Sequence, residues 1–206
     1  MEHLLRIGHR ADSTNVLGPG RRAVIWVHGC CFHCEGCLAE RYKTGPYQSF
    51  DPLELAQWYL NLPGVDGLTI SGGEPMLQAG PLARTIGSIR ENADIGVIVY
   101  PGFLYDDLLQ MSQTDSGIRK LLGCIDLLID GPYIPELDDG RPYVGSANQR
   151  LIPLTDRYRS HLQTYYAADI GRQIEMNITS RKGQLIGVPN REQLAIWKHI
   201  KAEGDV

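Results

Sequence analysis

The sequence predicts an α/β fold, with a parallel sheet whose strands are joined by crossover helices. Short apolar runs alternate with helical segments over the first 130 residues, and a turn rich in glycine, proline or cysteine follows each run. Strands separated by helices pair in parallel. The 206 residues, 43% of them hydrophobic, fit a single globular domain spanning residues 1–206.

Four apolar runs are predicted to be the strands of this sheet. The first of them reads as a buried strand, and the other three also end at turn-forming residues. They cover residues 22–28, 67–71, 95–100 and 125–129.

The segments between these strands carry helix signals. Asp51 is a suitable N-cap, Pro52 fits the first turn, and Glu54 occupies the reciprocal position of a capping box, so a helix is predicted to run to about Leu60. Further helices are predicted over residues 80–92, 104–111 and 115–122.

The remainder of the chain has a different character. Residues 133–165 are polar and rich in proline and tyrosine, with weak periodicity, and the pair Asp138-Asp139 within them is expected to be a solvated turn. Residues 173–179 and 184–188 flank Arg181-Lys182-Gly183 and predict a β-hairpin. A last helix is predicted from Asn190, with Gln193 as its capping-box partner, to about Ala202.

Three cysteines follow the first predicted strand in the order C-x-x-x-C-x-x-C: Cys30, Cys34 and Cys37. A [4Fe–4S] cluster bound only by protein uses four thiolates, so three leave one iron open to another ligand. Zinc completed by His28 or His33 is an alternative, although structural zinc sites usually show two separated cysteine pairs. Cys31 and Cys124 are expected to be bystander thiols.

Ligand sites of parallel α/β sheets lie beyond the carboxyl ends of the strands. The cysteine loop, the turn Gly72-Gly73-Glu74, Pro101-Gly102 and Asp130-Gly131 each follow a predicted strand. We therefore expect these four turns to meet at one edge of the sheet.

Composition argues against several classes of partner and location. The net charge is −4 and the basic residues are scattered, so no nucleic-acid partner is expected. No apolar run reaches 18 residues, so no membrane span is expected. The first residues lack a signal-peptide pattern, and four of the five cysteines fall within residues 30–37, which favours a metal site in a cytoplasmic protein over disulfides.

These motifs resemble the radical S-adenosylmethionine (SAM) superfamily, whose signature is the C-x-x-x-C-x-x-C loop followed by a Gly-Gly-Glu turn. Within it, the chain is similar to the activating proteins of glycyl-radical enzymes, and most similar to those of anaerobic (class III) ribonucleotide reductase. The resemblance covers residues 17–152. It is carried by Gly18-Pro19-Gly20-Arg21 leading to Trp26-Val27-His28-Gly29-Cys30, by Gly36-Cys37, by Ile129-Asp130-Gly131-Pro132, and by Gly145-Ser146-Ala147-Asn148-Gln149-Arg150.

The resemblance implies an open, incomplete (β/α) barrel of radical SAM type, here with a C-terminal hairpin and helix over about residues 153–206. It implies a [4Fe–4S] cluster on the three cysteines, and SAM on the open iron. Reductive cleavage of SAM would give methionine and a 5′-deoxyadenosyl radical, with no catalytic side chain beyond the cluster and SAM. Gly36 replaces the aromatic residue that many members carry before the third cysteine.

The same resemblance assigns expected roles to residues of the other turns. Gly72 and Gly73 would let the backbone approach SAM, and Glu74 would accept hydrogen bonds from its methionine ammonium group. Asp130 would bind ribose hydroxyls, and Asn148, with Gln149, would supply polar contacts to SAM or to the partner.

The function implied is that of an oxidoreductase which installs a glycyl radical on a partner enzyme, for which anaerobic ribonucleotide reductase is the candidate. A flavodoxin or ferredoxin would supply the electron. Two alternatives remain: a radical SAM enzyme acting on another peptide or on a small molecule, and a non-catalytic iron–sulfur or zinc-binding protein.

Overall fold

The computed structural model describes residues 4–167, 171–178 and 183–203. These residues form nine strands: β1 (Leu5–Thr14), β2 (Arg22–Val27), β3 (Gln48–Phe50), β4 (Gly67–Gly72), β5 (Gly96–Val99), β6 (Leu127–Asp130), β7 (Arg150–Pro153), β8 (Ile174–Ile178) and β9 (Gly183–Gly187). The α-helices in these ranges are α1 (Arg41–Thr44), α2 (Pro52–Leu60), α3 (Ala79–Arg90), α4 (Tyr105–Met111), α5 (Ser116–Leu122), α6 (Arg159–Ala167) and α7 (Arg191–Glu203).

The main sheet has seven strands in the order β3-β1-β2-β4-β5-β6-β7. Strands β2, β4, β5 and β6 run parallel and are the four strands predicted from the sequence. Strands β1, β3 and β7 are antiparallel to their neighbours, so the sheet is mixed and not purely parallel. The α/β class is confirmed, with antiparallel strands that the apolar runs did not indicate.

The predicted helix starts are confirmed by their capping contacts. At α2, Asp51 Oδ1 accepts from the amide of Leu53 (2.8 Å), and the Asp51 amide donates to Glu54 Oε2 (3.1 Å). At α7, Asn190 Oδ1 accepts from the backbone amide of Gln193 (2.8 Å), and Gln193 Oε1 accepts from the backbone amide of Asn190 (2.9 Å). Each exchange satisfies amides that a helix N-terminus leaves unpaired.

The C-terminal hairpin is also confirmed, because β8 and β9 pair antiparallel from Ile174 opposite Gly187 to Ile178 opposite Gly183. Its turn, residues 179–182, lies outside the described residues. Residues 133–165 contain β7 and most of α6, which the weak periodicity of that segment did not predict.

Both faces of the central strands are covered. On one face, Ile25 and Ile70 pack with α2, α3 and α5 in a core of buried aliphatic residues. On the other face, Val24 packs with Ile186 of β9, and Ile98 packs with Tyr158 and with Leu162 of α6. Parallel strands buried on both faces read as continuous apolar runs, as these do.

No α-helix within the described residues is both long enough and apolar enough to cross a membrane.

A buried arginine joins the amino ends of the parallel strands. Arg22 is 0% exposed, and its guanidinium makes five hydrogen bonds to neutral oxygens. The acceptors are Thr69 Oγ1 (2.6 Å), the Tyr158 hydroxyl (2.6 Å), and the carbonyls of Pro19 (3.1 Å), Leu68 (2.7 Å) and Gly96 (2.9 Å). Because guanidinium has five N–H donors, every donor of this buried cation is satisfied.

We expect Arg22→Met to lower the free energy of unfolding by about 3 kcal/mol, because it leaves four buried acceptors and one partly buried acceptor without their charged donor. The neighbouring Arg21 is exposed and bonds Ser13 Oγ at 3.1 Å, so Arg21→Met is the matched control. It should change stability by less than about 0.5 kcal/mol. Urea denaturation of both variants measures the difference, and equal losses would show that the buried network adds nothing.

Candidate functional site

The turns that follow β2, β4, β5 and β6 lie at the same edge of the sheet, called here the carboxyl edge. The parallel register sets Val27 beside Gly72, Ile70 beside Val99, and Val99 beside Leu128. The predicted convergence of the cysteine loop with the three later turns follows from this register.

The cysteine loop spans residues 28–40, between β2 and α1, without regular secondary structure. Cys30, Cys34 and Cys37 are partly exposed free thiols, and Cys31 is exposed. Within the described residues, no three His, Cys, Asp or Glu side chains are close enough together to hold a metal ion. The donor set fits an iron–sulfur cluster in chemistry, since thiolates are its usual ligands, and the loop must draw the thiols together to bind one.

The electrostatic surroundings of these thiols are mixed. Burial raises the pKa of the Cys30 and Cys37 thiols, and the ammonium group of Lys43 partly opposes that rise. Lys43 lies on α1 and forms an ion pair with Glu40 at 2.7 Å. A positive charge therefore stands beside the segment on which thiolates would gather.

Gly72 and Gly73 bring the β4 turn into contact with the start of the cysteine loop. A Cβ on Gly73 would lie 2.0 Å from the carbonyl oxygen of Gly29, and Gly72 has φ +104°. The Gly73 amide donates to the Val27 carbonyl, and the Glu74 amide donates to the Gly29 carbonyl, both at 2.8 Å. Only glycine permits this approach, which joins the two turns backbone to backbone.

The Glu74 side chain is directed into the protein. The residue is 1% exposed, and its carboxylate accepts from the amides of Met76 (2.8 Å) and Gly102 (2.7 Å). Burial raises its pKa to about 7, against the effect of these two hydrogen bonds. Glu74 therefore ties the β4 turn to the β5 turn, and the contact with a methionine ammonium group stays a prediction.

Asp130 ends β6 and is 0% exposed. Its Oδ1 accepts from Arg150 Nε (3.0 Å), and its Oδ2 accepts from Arg150 Nη2 (2.5 Å) and from the Tyr105 amide (2.7 Å). Such a bidentate pair fixes geometry as well as charge. The structure gives Asp130 the role of linking β6, β7 and α4, and the ribose contact stays a prediction.

Asn148 and Gln149 hold the β6 turn. Asn148 Nδ2 donates to the Pro132 carbonyl (2.8 Å), and Gln149 Nε2 donates to the Gly131 carbonyl (2.9 Å). Asn148 Oδ1 is buried and has no hydrogen-bond partner within the described part of the chain. A buried acceptor without a partner is energetically unfavourable and requires an explanation. The polar contact of Asn148 with SAM stays a prediction.

Three aromatic residues near the cysteine loop were not predicted as part of the site. Tyr133 Cε1 lies 3.8 Å from where a Cβ on Gly36 would be, and Phe32 packs edge-on against Phe103 with ring centroids 4.8 Å apart. Phe32 lies in the cysteine loop, Phe103 directly follows Pro101-Gly102, and Tyr133 directly follows Gly131-Pro132, and this adjacency is the only signal that the sequence offers for them. They supply apolar surface beside the thiols.

His28, the residue weighed as a zinc ligand, is 9% exposed and stacks on Tyr47 with ring centroids 4.4 Å apart. Its Nδ1 is buried without a partner among the described residues, and burial, followed by the charge of Arg6, lowers its pKa. His33 is exposed on the loop itself.

Comparison with known proteins adds to this geometry. Residues 16–152 match the family described as a 4Fe-4S single cluster domain. The curated relatives include proteins named anaerobic ribonucleoside-triphosphate reductase-activating protein. The one from Haemophilus influenzae is 33% identical over 141 residues, which cover 64% of this chain and 87% of that protein. The one from Vibrio cholerae is 30% identical over 153 residues, covering 68% and 92%.

A protein of the same name from Enterobacteria phage T4 is 26% identical over 152 residues, which cover 71% of this chain and 92% of the phage protein. The three matches cover 87–92% of these relatives. The family match over residues 16–152 includes the cysteine loop and the other three turns of the carboxyl edge. The chain belongs to the 4Fe-4S single cluster domain family and to the family of the anaerobic ribonucleoside-triphosphate reductase-activating proteins.

Proposed function

We propose that the protein is a radical SAM activase that installs a glycyl radical on an anaerobic ribonucleotide reductase. One observation carries the proposal: the cysteine loop and the Gly-Gly-Glu turn are joined by backbone hydrogen bonds at the carboxyl edge. This contact sets a loop able to hold a three-thiolate cluster beside the Gly-Gly-Glu turn, at the edge of the sheet where parallel α/β folds bind their ligands.

When bound, the cluster would supply one-electron reduction, and SAM would supply the radical chemistry that removes hydrogen from glycine. Cys30, Cys34 and Cys37 would hold the cluster through their thiolates. The amides of Gly73 and Glu74 fix the turn beside the loop through their bonds to Val27 and Gly29. Asn148 would contact a polar group of SAM.

We further propose that the seven-stranded sheet is an incomplete (β/α) barrel of radical SAM type. Its order begins with the short strand β3 and ends with the four-residue strand β7, and the described residues do not pair these edges with each other. An open edge gives a protein loop more access to the carboxyl edge than a closed barrel would, which suits a macromolecular substrate.

We propose that a flavodoxin or a ferredoxin supplies the electron and that the protein acts in the cytoplasm. The five cysteines are all free thiols in the structure, which suits a reducing compartment. A low-potential donor is required because iron–sulfur clusters on thiolates reach strongly negative potentials.

Removing a ligand thiol should abolish the cluster, whereas removing its unused neighbour should not. Cys34→Ala is expected to lose most of the iron and sulfide incorporated on anaerobic reconstitution, because two thiolates cannot hold a cubane. Cys31→Ala is the matched control and should retain wild-type iron, sulfide and visible absorption. Retention of the cluster by Cys34→Ala with loss in Cys31→Ala would refute the ligand assignment.

The contact between the two turns can be tested at Gly73. Gly73→Ala places a methyl group 2.0 Å from the Gly29 carbonyl oxygen, so the turns must separate and SAM binding should fall at least about tenfold. Gly87→Ala in α3 is the control, since nothing lies within 4 Å of its added Cβ. Equilibrium dialysis of SAM with the reconstituted variants measures the difference, and equal affinities would contradict the close-contact argument.

The activity itself has a two-stage assay. The reduced, reconstituted protein should convert SAM to 5′-deoxyadenosine and methionine, and, mixed with an anaerobic ribonucleotide reductase, should generate a glycine-centred radical signal in electron paramagnetic resonance. Cleavage of SAM without that signal would favour another substrate. Absence of cleavage by a cluster-loaded protein would refute the enzymatic assignment.

A further inference from the structure

Residues 153–206 lie beyond the segment that matches the family, yet they contact the candidate site. The contact is made by Arg172, which precedes β8 and whose side chain is 2% exposed. Its guanidinium is directed at the segment of residues 138–149, called here the 138–149 loop. This loop follows a short 3₁₀ helix and precedes β7.

Arg172 binds the loop at four of its residues. Nε donates to the carbonyl of Arg141 (3.0 Å), and Nη2 donates to the carbonyls of Val144 (2.9 Å) and Gly145 (3.0 Å). Nη1 and Nη2 also pair with the two oxygens of Asp138, at 3.1 and 2.8 Å. A planar guanidinium with this many short contacts fixes the backbone that it binds.

Asp138 was expected to be solvated, but its side chain is only 14% exposed because it pairs with Arg172. Asp139 fits the expectation better, with a side chain that is 38% exposed and pairs locally with Arg141. The buried ion pair therefore lies between the C-terminal segment and the loop.

The 138–149 loop needs such support because it has no regular secondary structure. It carries Asn148, whose buried Oδ1 has no partner within the described residues, and Gln149, which accepts from the Gly145 amide (2.7 Å). Fixing the Gly145 carbonyl therefore fixes the neighbouring residues that hold the β6 turn.

We propose that Arg172 is a positioning residue for SAM: the C-terminal segment clamps the 138–149 loop so that Asn148 is held ready to bind SAM. The proposal rests on the proposed function, because it takes SAM as the ligand at the carboxyl edge. It assigns a binding role to a residue outside the family match, with the cluster ligands unaffected.

A second attachment of the same segment supplies an independent control. Glu175 of β8 accepts from Thr14 Oγ1 (2.6 Å) and from the Asn15 amide (2.8 Å), on the side of β1. Thr14 ends β1, and the contact touches no residue of the 138–149 loop. Weakening it tests whether general loosening of the C-terminal segment is enough to disturb the site.

The experiment compares Arg172→Gln with Glu175→Gln in the reconstituted full-length protein. Arg172→Gln should keep wild-type iron and sulfide content, weaken SAM binding about tenfold in equilibrium dialysis, and speed amide hydrogen exchange over residues 138–149. Glu175→Gln should bind SAM within about twofold of wild type. Unchanged SAM affinity in Arg172→Gln, or an equal loss in Glu175→Gln, would overturn the proposal.

If Arg172→Gln does not fold, Asp138→Asn takes its place, since it removes only the ion pair and leaves the three carbonyl contacts. It should weaken SAM binding about threefold, and wild-type affinity would overturn the proposal. Failure of the proposed function is distinguishable, because the wild-type protein itself would then not bind SAM. In that case, amide hydrogen exchange over residues 138–149 still shows whether Arg172 restrains the loop. Equal exchange in the variant and in the wild type would overturn the proposal that Arg172 holds the loop in place.

Discussion

The candidate site depends on one close approach between two stretches of backbone. Gly73 has no side chain, and the Gly29 carbonyl occupies the space where a Cβ would be. The adjacent amides of Gly73 and Glu74 therefore bond to Val27 and Gly29. Through Glu74 the same turn reaches the Gly102 amide, so three of the four turns at the carboxyl edge are connected by short hydrogen bonds. The cysteine loop is irregular, and this connection determines where it starts.

A second constraint is that the central strands need cover on both faces. Helices α2, α3 and α5 cover one face, as crossover helices do in parallel sheets. The other face is covered in part by α6 and β9, from the segment that lies outside the family match. This explains why that segment can influence the site. A hairpin that packs on Val24 and an arginine that binds the 138–149 loop belong to one continuous stretch of chain.

Much of the architecture could be predicted from local signals, because those signals are strong where hydrophobic burial or capping dictates the conformation. The four parallel strands are apolar on both faces, and both capping boxes form as expected. Strand β1 was not predicted because its polar residues find partners on the surface: Arg10 lies over the rings of Phe50 and Trp58. Strand β7 has only four residues, too few to show a period.

In the candidate site, too, local features could be predicted from the sequence and distant contacts could not. The turns could be placed because each follows a predictable strand, whereas the partners of their side chains depend on contacts distant in sequence. Asp130 pairs with Arg150 and Asp138 with Arg172, and neither spacing leaves a periodic signal. The same applies to Glu74, whose partner Gly102 offers only a backbone amide. The side chains of Asp130, Asp138 and Glu74 all point into the protein. The sequence of a turn does not indicate whether a side chain in it points into the protein or into solvent.

The five-donor arginine at the amino ends of the parallel strands has a broader consequence. Arg22 gathers β2, β4 and β5 at the end of the sheet remote from the thiols, so its contacts do not involve the loops that would meet a partner enzyme. The contacts of Arg22 that stabilise the sheet and the loops proposed to bind the substrate therefore lie at opposite ends of the parallel strands. Proteins built on such a scaffold can change the loops that contact a substrate, and so act on new substrates, without losing the buried contacts that stabilise the sheet.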